Sequence, residues 1–328
     1  MIRSLHRRKD GEIRQGLTAA DLTAALREPG GLIWVDFTGE PPEACEPILR
    51  EVFGFHPLAI DDALAESHVP KVDDWDAYLY IAIHAIRFDA AAEHPLTTHE
   101  LDAFLGTNYL VTHHDDPIPA VDRIWDRCQR DQRSIAGGAD HLYYALADDV
   151  VLGYMESVEA IDETIEDFED IVFERPSPDT LARVFSLKRG LLQLRRIVSP
   201  QREVFNRLAR DDFKVIDRKD RVYFRDVYDH LVRLHDINES MRDQVSGILE
   251  IYLSVINNRM NEIMKTLTII TTLFMPISFL TGFFGMNFFG PTAPFDGWTS
   301  WPAFAVTMAI LVLTPAAFYI WVRRRAWV

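Results

Sequence analysis

The chain has 328 residues, 48% hydrophobic and 26% charged, which excludes collagen-like, low-complexity and disordered classes and leaves ample surface for a core. With 34 basic and 50 acidic side chains the net charge is −16, which argues against a nucleic-acid partner and leaves metal cations open. Two cysteines, Cys45 and Cys128, cannot staple a fold this large or form a metal knuckle, and they fit a reducing compartment.

The start, MIRSLHRRKDGEIRQ, has no apolar run of the kind a secretory signal needs. Thr18 with Asp21 makes a capping-box pattern ahead of an apolar-periodic stretch that stops at Gly30-Gly31. LIWVDF (32–37), YLYIAIHAIRF (78–88), ELDAFL (100–105) and NYLVTHH (108–114) read as strands, and the segments around 57–66 and 117–132 as helices. His84 falls inside an alternating strand and reads as packing. His113-His114-Asp115-Asp116 has the residue types of a metal cluster, but neighbours on a strand point apart, and the run reads as an exposed turn before Pro117.

From about Asp140 the pattern is helical. Residues 156–174 hold nine acids and no base, and after Pro176 and Pro178 residues 183–210 hold eight bases and one acid. This predicts an antiparallel hairpin whose opposite charges face each other, with cation sensing by the acidic helix as a second reading. Between Pro200 and Pro276 lie 75 residues with no proline and one glycine, so one helix is expected from about Arg218 to Phe284, ~100 Å long. Two stretches free of charge, roughly 266–287 and 301–322, are each long enough to span a bilayer core of ~30 Å. The linker 288–300 carries glycines and prolines and no Lys or Arg, whereas Arg323, Arg324 and Arg325 follow the second stretch. The positive-inside rule then places both termini in the cytoplasm and the linker outside.

The expected architecture is α+β. A cytoplasmic α/β domain with a mixed sheet covers 1–135, and an acidic/basic helical hairpin covers 136–216. A long stalk helix continuing into transmembrane helix 1 covers 217–287, an extracytoplasmic loop 288–300, transmembrane helix 2 301–322, and a basic tail 323–328.

Along the long helix, a 3.5-residue step traces Asp226, Asp229, Arg233, Asp236, Ser240, Asp243, Gly247, Glu250, Ser254, Asn257 and Asn261, then Met264, Thr268, Thr271, Met275, Ser278, Gly282 and Gly285. The opposite side carries Val227, Leu231, Leu234, Met241, Val245, Ile248 and Val255, then Leu267, Ile270, Leu273, Phe274 and Ile277. In the soluble half the stripe also suits a solvated face, and in the apolar half it also suits small-residue helix packing. A line running from carboxylates through amides and methionines to glycines is what a cation path lined by one helix per subunit requires, and two spans cannot enclose such a path without other copies.

Gly285-Met286-Asn287 closes the first span inside MPISFLTGFFGMNF, after YFRDVYDHL and NRMNEIMKTLTII. These segments, with FGFHPLAIDDAL, PKVDDWDAYLYIAIHAIRFD and the tail RRRAWV, resemble the CorA family of divalent-cation channels within the CorA/ZntB superfamily over nearly the whole chain. The resemblance implies a homo-oligomer, five subunits in the family, embedded in membrane lipid of the plasma (inner) membrane and passing hydrated Mg²⁺, with Co²⁺ and Ni²⁺ as further cargoes. It implies a selectivity filter at Gly285, Met286 and Asn287, pore and gate positions at Asn261, Met264, Leu267 and Met275, and regulatory Mg²⁺ at Asp89 and Asp226. Thr271, Ser278 and Gly282 join the pore positions from the stripe. Mg²⁺ gives up water reluctantly, so neutral amide oxygens that hold its hydration shell suit a filter better than carboxylates, and apolar rings can gate by dewetting. A ZntB-like Zn²⁺ transporter, with proton coupling open, is the alternative, and the loop with Asp296 as its single acid keeps it in view. A membrane-anchored scaffold or sensor is the alternative of another class. No phosphate loop, nucleophile elbow or HExxH occurs, so an enzyme reading has no residues to stand on.

Overall fold

The computed structural model describes residues 1–65, 69–92, 94–131, 135–174, 176–286 and 301–324. The elements run β1 (Ile2–Arg7), β2 (Ile13–Gln15), α1 (Ala19–Leu26), β3 (Leu32–Thr38), α2 (Pro42–Pro47) with a π-helical turn Ile48–Val52, α3 (Pro57–Leu64), β4 (Lys71–Asp74), β5 (Tyr78–Phe88), β6 (Leu96–Gly106) and β7 (Tyr109–His114). Five helices follow: α4 (Pro119–Arg130), α5 (Ala139–Glu174), α6 (Pro178–Arg210), α7 (Arg221–Gly285) and α8 (Trp301–Arg324). They fall into two compact units, Met1–Tyr252 and Leu253–Val328.

The first unit is built on one mixed sheet in the order β2-β1-β3-β7-β6-β5-β4, with β3 and β7 parallel and every other pair antiparallel. Six of the seven residues of β3 are buried, because its strand is covered on both faces and needs apolar side chains on each. On one face Ile33, Val35, Phe37, Tyr80, Phe104 and Val111 pack under Leu22 of α1 and Ala59 and Ile60 of α3. The Thr18–Asp21 capping box starts α1 as the sequence implies. On the other face Trp34 packs against Trp125 of α4, with ring centroids 4.8 Å apart and planes tilted by 58°, and donates its indole N–H to Thr112 Oγ1 at 3.0 Å. The helices are tied to the same sheet: the Tyr154 hydroxyl of α5 donates to the His84 carbonyl at 2.8 Å, and Gln201 Oε1 of α6 accepts the His84 N–H at 2.9 Å.

Two expectations are corrected here. His113 and His114 are not in an exposed turn: β7 runs through both, and each is buried on its own face of the sheet, while only Asp115 and Asp116 are exposed. Each imidazole has an acid to face. His113 Nδ1 lies 3.7 Å from Asp102 Oδ2, and His114 Nε2 lies 3.3 Å from Asp36 Oδ1. Burial pushes the Asp102 carboxyl up to about 7, against the opposing pull of His113. The hairpin of α5 and α6 forms, but not on facing charges. All nine acids of 156–174 point to solvent, and among the described residues no ion pair joins them to the bases of α6. Each helix instead buries an apolar side, Ile161, Ile165 and Phe168 on α5 and Val184, Leu187 and Leu191 on α6, because apolar burial outweighs what exposed ion pairs contribute. Arg183 lays its guanidinium over the Phe168 ring at 5.1 Å.

In α7, Val227, Leu231, Leu234, Met241, Val245 and Ile248 are buried, and Asp226, Asp229, Arg233, Asp236, Ser240 and Asp243 are exposed, so the two sides read from the sequence separate as expected up to Ile248. Beyond it Val255, Leu273 and Ile277 are only partly buried and Leu267, Ile270 and Phe274 are exposed, because the single chain brings no full second layer over them. The second unit holds the end of α7 and all of α8. Both helices are long and apolar enough to cross a membrane, and Ile270, Phe274, Phe279, Val312 and Leu313 expose their side chains as lipid-facing residues would.

Candidate ion path and metal-binding carboxylates

The apolar end of α7 has two unlike flanks. Ile269, Thr272, Leu273, Pro276, Ile277 and Leu280 are partly buried. Thr268, Ile269, Thr272 and Leu273 line a small cavity of about 70 Å³ with Phe318, Tyr319 and Trp321 of α8. Asn261, Met264, Leu267, Thr271, Met275, Ser278, Gly282, Gly285 and Met286 are all exposed. At ~3.6 residues per turn the covered flank is centred roughly 160° around the helix from the exposed one. One side of the span is thus engaged by α8 while the stripe carrying the candidate pore residues is left uncovered in the single chain. Asn287 lies outside the described residues, as do the loop 288–300 and Arg325.

The chemistry of the stripe is that of neutral oxygens and small side chains. The Thr271 hydroxyl donates to the Leu267 carbonyl at 2.9 Å, and the hydroxyl of Thr268, which stands at the edge of the stripe and also lines the cavity against α8, donates to the Met264 carbonyl at 2.7 Å. With their protons engaged inside the helix, these hydroxyls present oxygen lone pairs outward, which suits a cation or its water shell. A Cβ added at Gly282 or Gly285 meets nothing within 4 Å, so neither glycine is needed to let α8 approach. Their small size is available to something outside this chain.

The two carboxylates expected to hold regulatory metal sit in unlike surroundings. Asp89 is exposed in the turn after β5, where its Oδ1 accepts the Ala91 N–H at 2.9 Å and its N–H donates to the Pro95 carbonyl at 2.8 Å. Asp226 sits on the first turns of α7 and is joined by Asp148 of α5 and His230, with one ligand atom of each within 4.8 Å of the others. His230 Nδ1 is 3.8 Å from Asp148 Oδ1, an oxygen that is buried and accepts no hydrogen bond. Burial pushes the Asp148 carboxyl up, His230 opposes this, and Asp226 adds to it. Asp148 and His230 were missed by the sequence reading. The i,i+4 spacing of Asp226 and His230, which places both on one helix face, is the signal that points to His230; nothing local marks Asp148.

Comparison with known proteins covers almost the whole chain. The family model described as "CorA-like Mg2+ transporter protein" matches residues 29–324. A curated relative, "Cobalt/magnesium transport protein CorA" of Thermotoga maritima, is 33% identical over 311 residues, covering 94% of this chain and 87% of the relative. "Zinc transport protein ZntB" of Yersinia pseudotuberculosis is 27% identical over 325 residues, covering 95% of this chain and 92% of the relative. Among solved structures, "The complete structure of CorA magnesium transporter from Methanocaldococcus jannaschii" superposes with a TM-score of 0.83 at 23% identity, covering 99% of this chain and 98% of that one, which shows the same fold. The chain belongs to the family of CorA-like Mg²⁺ transporter proteins, divalent-cation transporters and not enzymes, held in the inner membrane by two C-terminal helices with the N-terminal domain in the cytoplasm.

Proposed function

We propose that five copies of this chain assemble around one axis as a channel for hydrated Mg²⁺, with Co²⁺ and Ni²⁺ as further cargoes. The observation that carries this reading is the uncovered stripe of α7, whose opposite flank is engaged by α8. Around the axis, Asn261, Met264, Leu267, Thr271, Met275, Ser278 and Gly282 line or gate the path. Gly285, Met286 and Asn287 form the filter at its outer end. Rings of Met264, Leu267 and Met275 narrow enough to dewet stop ions without a plug, and the hydroxyls of Thr271 and Ser278 support a water column between them.

Regulation follows from the acidic cytoplasmic unit. Mg²⁺ held by Asp226 of one subunit with Asp89 of the next offsets mutual repulsion and favours the closed assembly; when cytosolic Mg²⁺ falls, repulsion loosens the ring. Such feedback requires tighter Mg²⁺ binding in the closed state than in the open one. The Thermotoga relative named for cobalt and magnesium transport supports the Mg²⁺ reading. The zinc-transport relative supports a second one, Zn²⁺ transport coupled to protons.

Uptake into sealed liposomes separates them. Mg²⁺ uptake that ignores a pH gradient and falls to background in Asn287→Ala is expected, with inhibition by internal Mg²⁺ weakened in Asp89→Ala/Asp226→Ala. Zn²⁺ uptake that follows the pH gradient would replace the channel with the coupled transporter. Uptake of no divalent cation by the wild-type protein would leave an anchored scaffold.

A further inference from the structure

Three more acids gather where the chain enters α7. Asp140 is in the first turn of α5, and Asp217 and Asp220 bracket the turn that leads into α7, with the Asp220 N–H donating to the Asp217 carbonyl at 2.9 Å. One carboxylate oxygen of each lies within 4.8 Å of the others. Asp140 already serves the backbone, since its Oδ1 accepts the His141 N–H and its Oδ2 the Asp217 N–H, both at 2.9 Å. Asp220 does not. Its side chain is only 5% exposed, and its Oδ2 is buried and accepts no hydrogen bond. The nearest basic side chains are loose partners. Lys219 Nζ is 3.7 Å from Asp220 Oδ2 and 3.3 Å from Asp217 Oδ2 on a side chain 68% exposed, and His141 Nδ1 is 3.6 Å from Asp220 Oδ1. A buried carboxylate oxygen left without a donor is costly unless a cation completes its surroundings.

We infer that Asp140, Asp217 and Asp220 bind a hard divalent cation within a single subunit, displacing the Lys219 ammonium into solvent. The donor set is all carboxylate oxygen, which selects Mg²⁺, Mn²⁺ or Ca²⁺ over softer metals. The spacing suits this as well. Three oxygens spread evenly around Ca²⁺ stand about 4.0–4.5 Å apart and around Mg²⁺ about 3.5–3.6 Å, so oxygens within 4.8 Å of one another reach a common ion after closing by less than ~1.5 Å. Burial already pushes the Asp140 carboxyl up, and the neighbouring charges of Asp220 and Asp217 add to it, a repulsion that a dication relieves. The bound ion pins the turn before α7 to the start of α5, fixing the base of the helix that carries the ion path. This site shares no residue with the Asp148, Asp226 and His230 cluster and does not depend on what the protein transports.

The test is a titration of the purified full-length protein with Mn²⁺, following free Mn²⁺ by electron paramagnetic resonance, in an Asp226→Ala background that removes the neighbouring cluster. Asp220→Asn is expected to lose one bound Mn²⁺ per subunit while its metal-free melting temperature stays equal or rises, since a buried charge has been removed. Lys219→Met is expected to bind Mn²⁺ about tenfold more tightly, because the competing positive charge is gone, with Mg²⁺ displacing the probe. An unchanged Mn²⁺ count in Asp220→Asn would overturn the site. So would a Lys219→Met variant that melts lower and gains no Mn²⁺ affinity, since Lys219 would then be the permanent partner; that variant decides the matter alone if Asp220→Asn does not fold.

Discussion

Gly282→Leu is expected to cut divalent uptake by roughly 100-fold or more while the protein still assembles, because a ring of leucines at a narrow point of a pore expels water. A single chain has no objection to the substitution. Nothing lies within 4 Å of a Cβ at this position, and a leucine in a helix is favoured over glycine by on the order of 0.5–1 kcal/mol. If Gly282 faced lipid, the change would be silent, since lipid accepts leucine readily. If it only packed one helix against another, leucine would break the oligomer. The measurement is therefore paired: uptake into liposomes, and elution volume of the detergent-solubilised protein. Lost uptake at unchanged elution volume is the expected pair, and retained uptake would remove Gly282 from the path.

The second large effect lies in the sheet. Asp36 is fully buried and accepts the Nε–H of Arg3 at 2.8 Å and the hydroxyl of Thr112 at 2.5 Å, with His114 Nε2 3.3 Å away. Burial pushes the Asp36 carboxyl up, but His114, Thr112 and Arg3 together outweigh it and hold it below the ordinary carboxylate range. For His114 burial pulls the imidazole down, and Asp36 outweighs that and raises it. Asp36→Ala leaves the buried His114 without its acid and Arg3 with only the exposed Asp122 as partner, and is expected to cost about 3–5 kcal/mol, read by denaturant or thermal unfolding. The pH dependence has two limbs. The depressed Asp36 contributes stability that is present above ~3.9 and lost as pH falls through its folded value. The raised His114 contributes stability present in full below ~6.5 and lost as pH rises through its folded value. The pair thus stabilises most between ~4 and ~6.5, and Asp36→Ala should flatten both limbs. A loss under about 1 kcal/mol would mean the pair is solvated rather than buried.

How far the sequence could be read depended on pattern strength. β5 runs over Tyr78–Phe88 as expected, since eleven residues of strand-forming type leave little alternative. The 65 residues of α7 begin and end within a few positions of the sequence estimate, because nothing between the flanking prolines and glycines breaks a helix. β1, β2 and β4 went unread. Ile2–Arg7 and Ile13–Gln15 are rich in arginine, and Lys71–Asp74 is a short charged edge strand, so their apolar alternation is weak; long-range partners such as Asp36 for Arg3 complete them. The paired histidines of β7 were misread for the same reason. Their acids, Asp102 and Asp36, come from other strands and are invisible to spacing along the chain. Asp148 was missed likewise, because only the packing of α5 against α7 brings it to Asp226 and His230.

Ion conduction in this protein requires the exposed flank of α7 to face the ions. The chain suits a cysteine-accessibility test, because Cys45 and Cys128 are buried free thiols and burial pushes them up to about 11 and about 12, far from thiolate at neutral pH. Single cysteines at Thr271, on the stripe, and at Leu273, on the flank engaged by α8, would be treated with a membrane-impermeant cationic thiosulfonate during divalent uptake. Thr271→Cys should lose uptake on treatment and Leu273→Cys should keep it. Loss at Leu273→Cys with none at Thr271→Cys would contradict this placement and put the path on the other side of the helix.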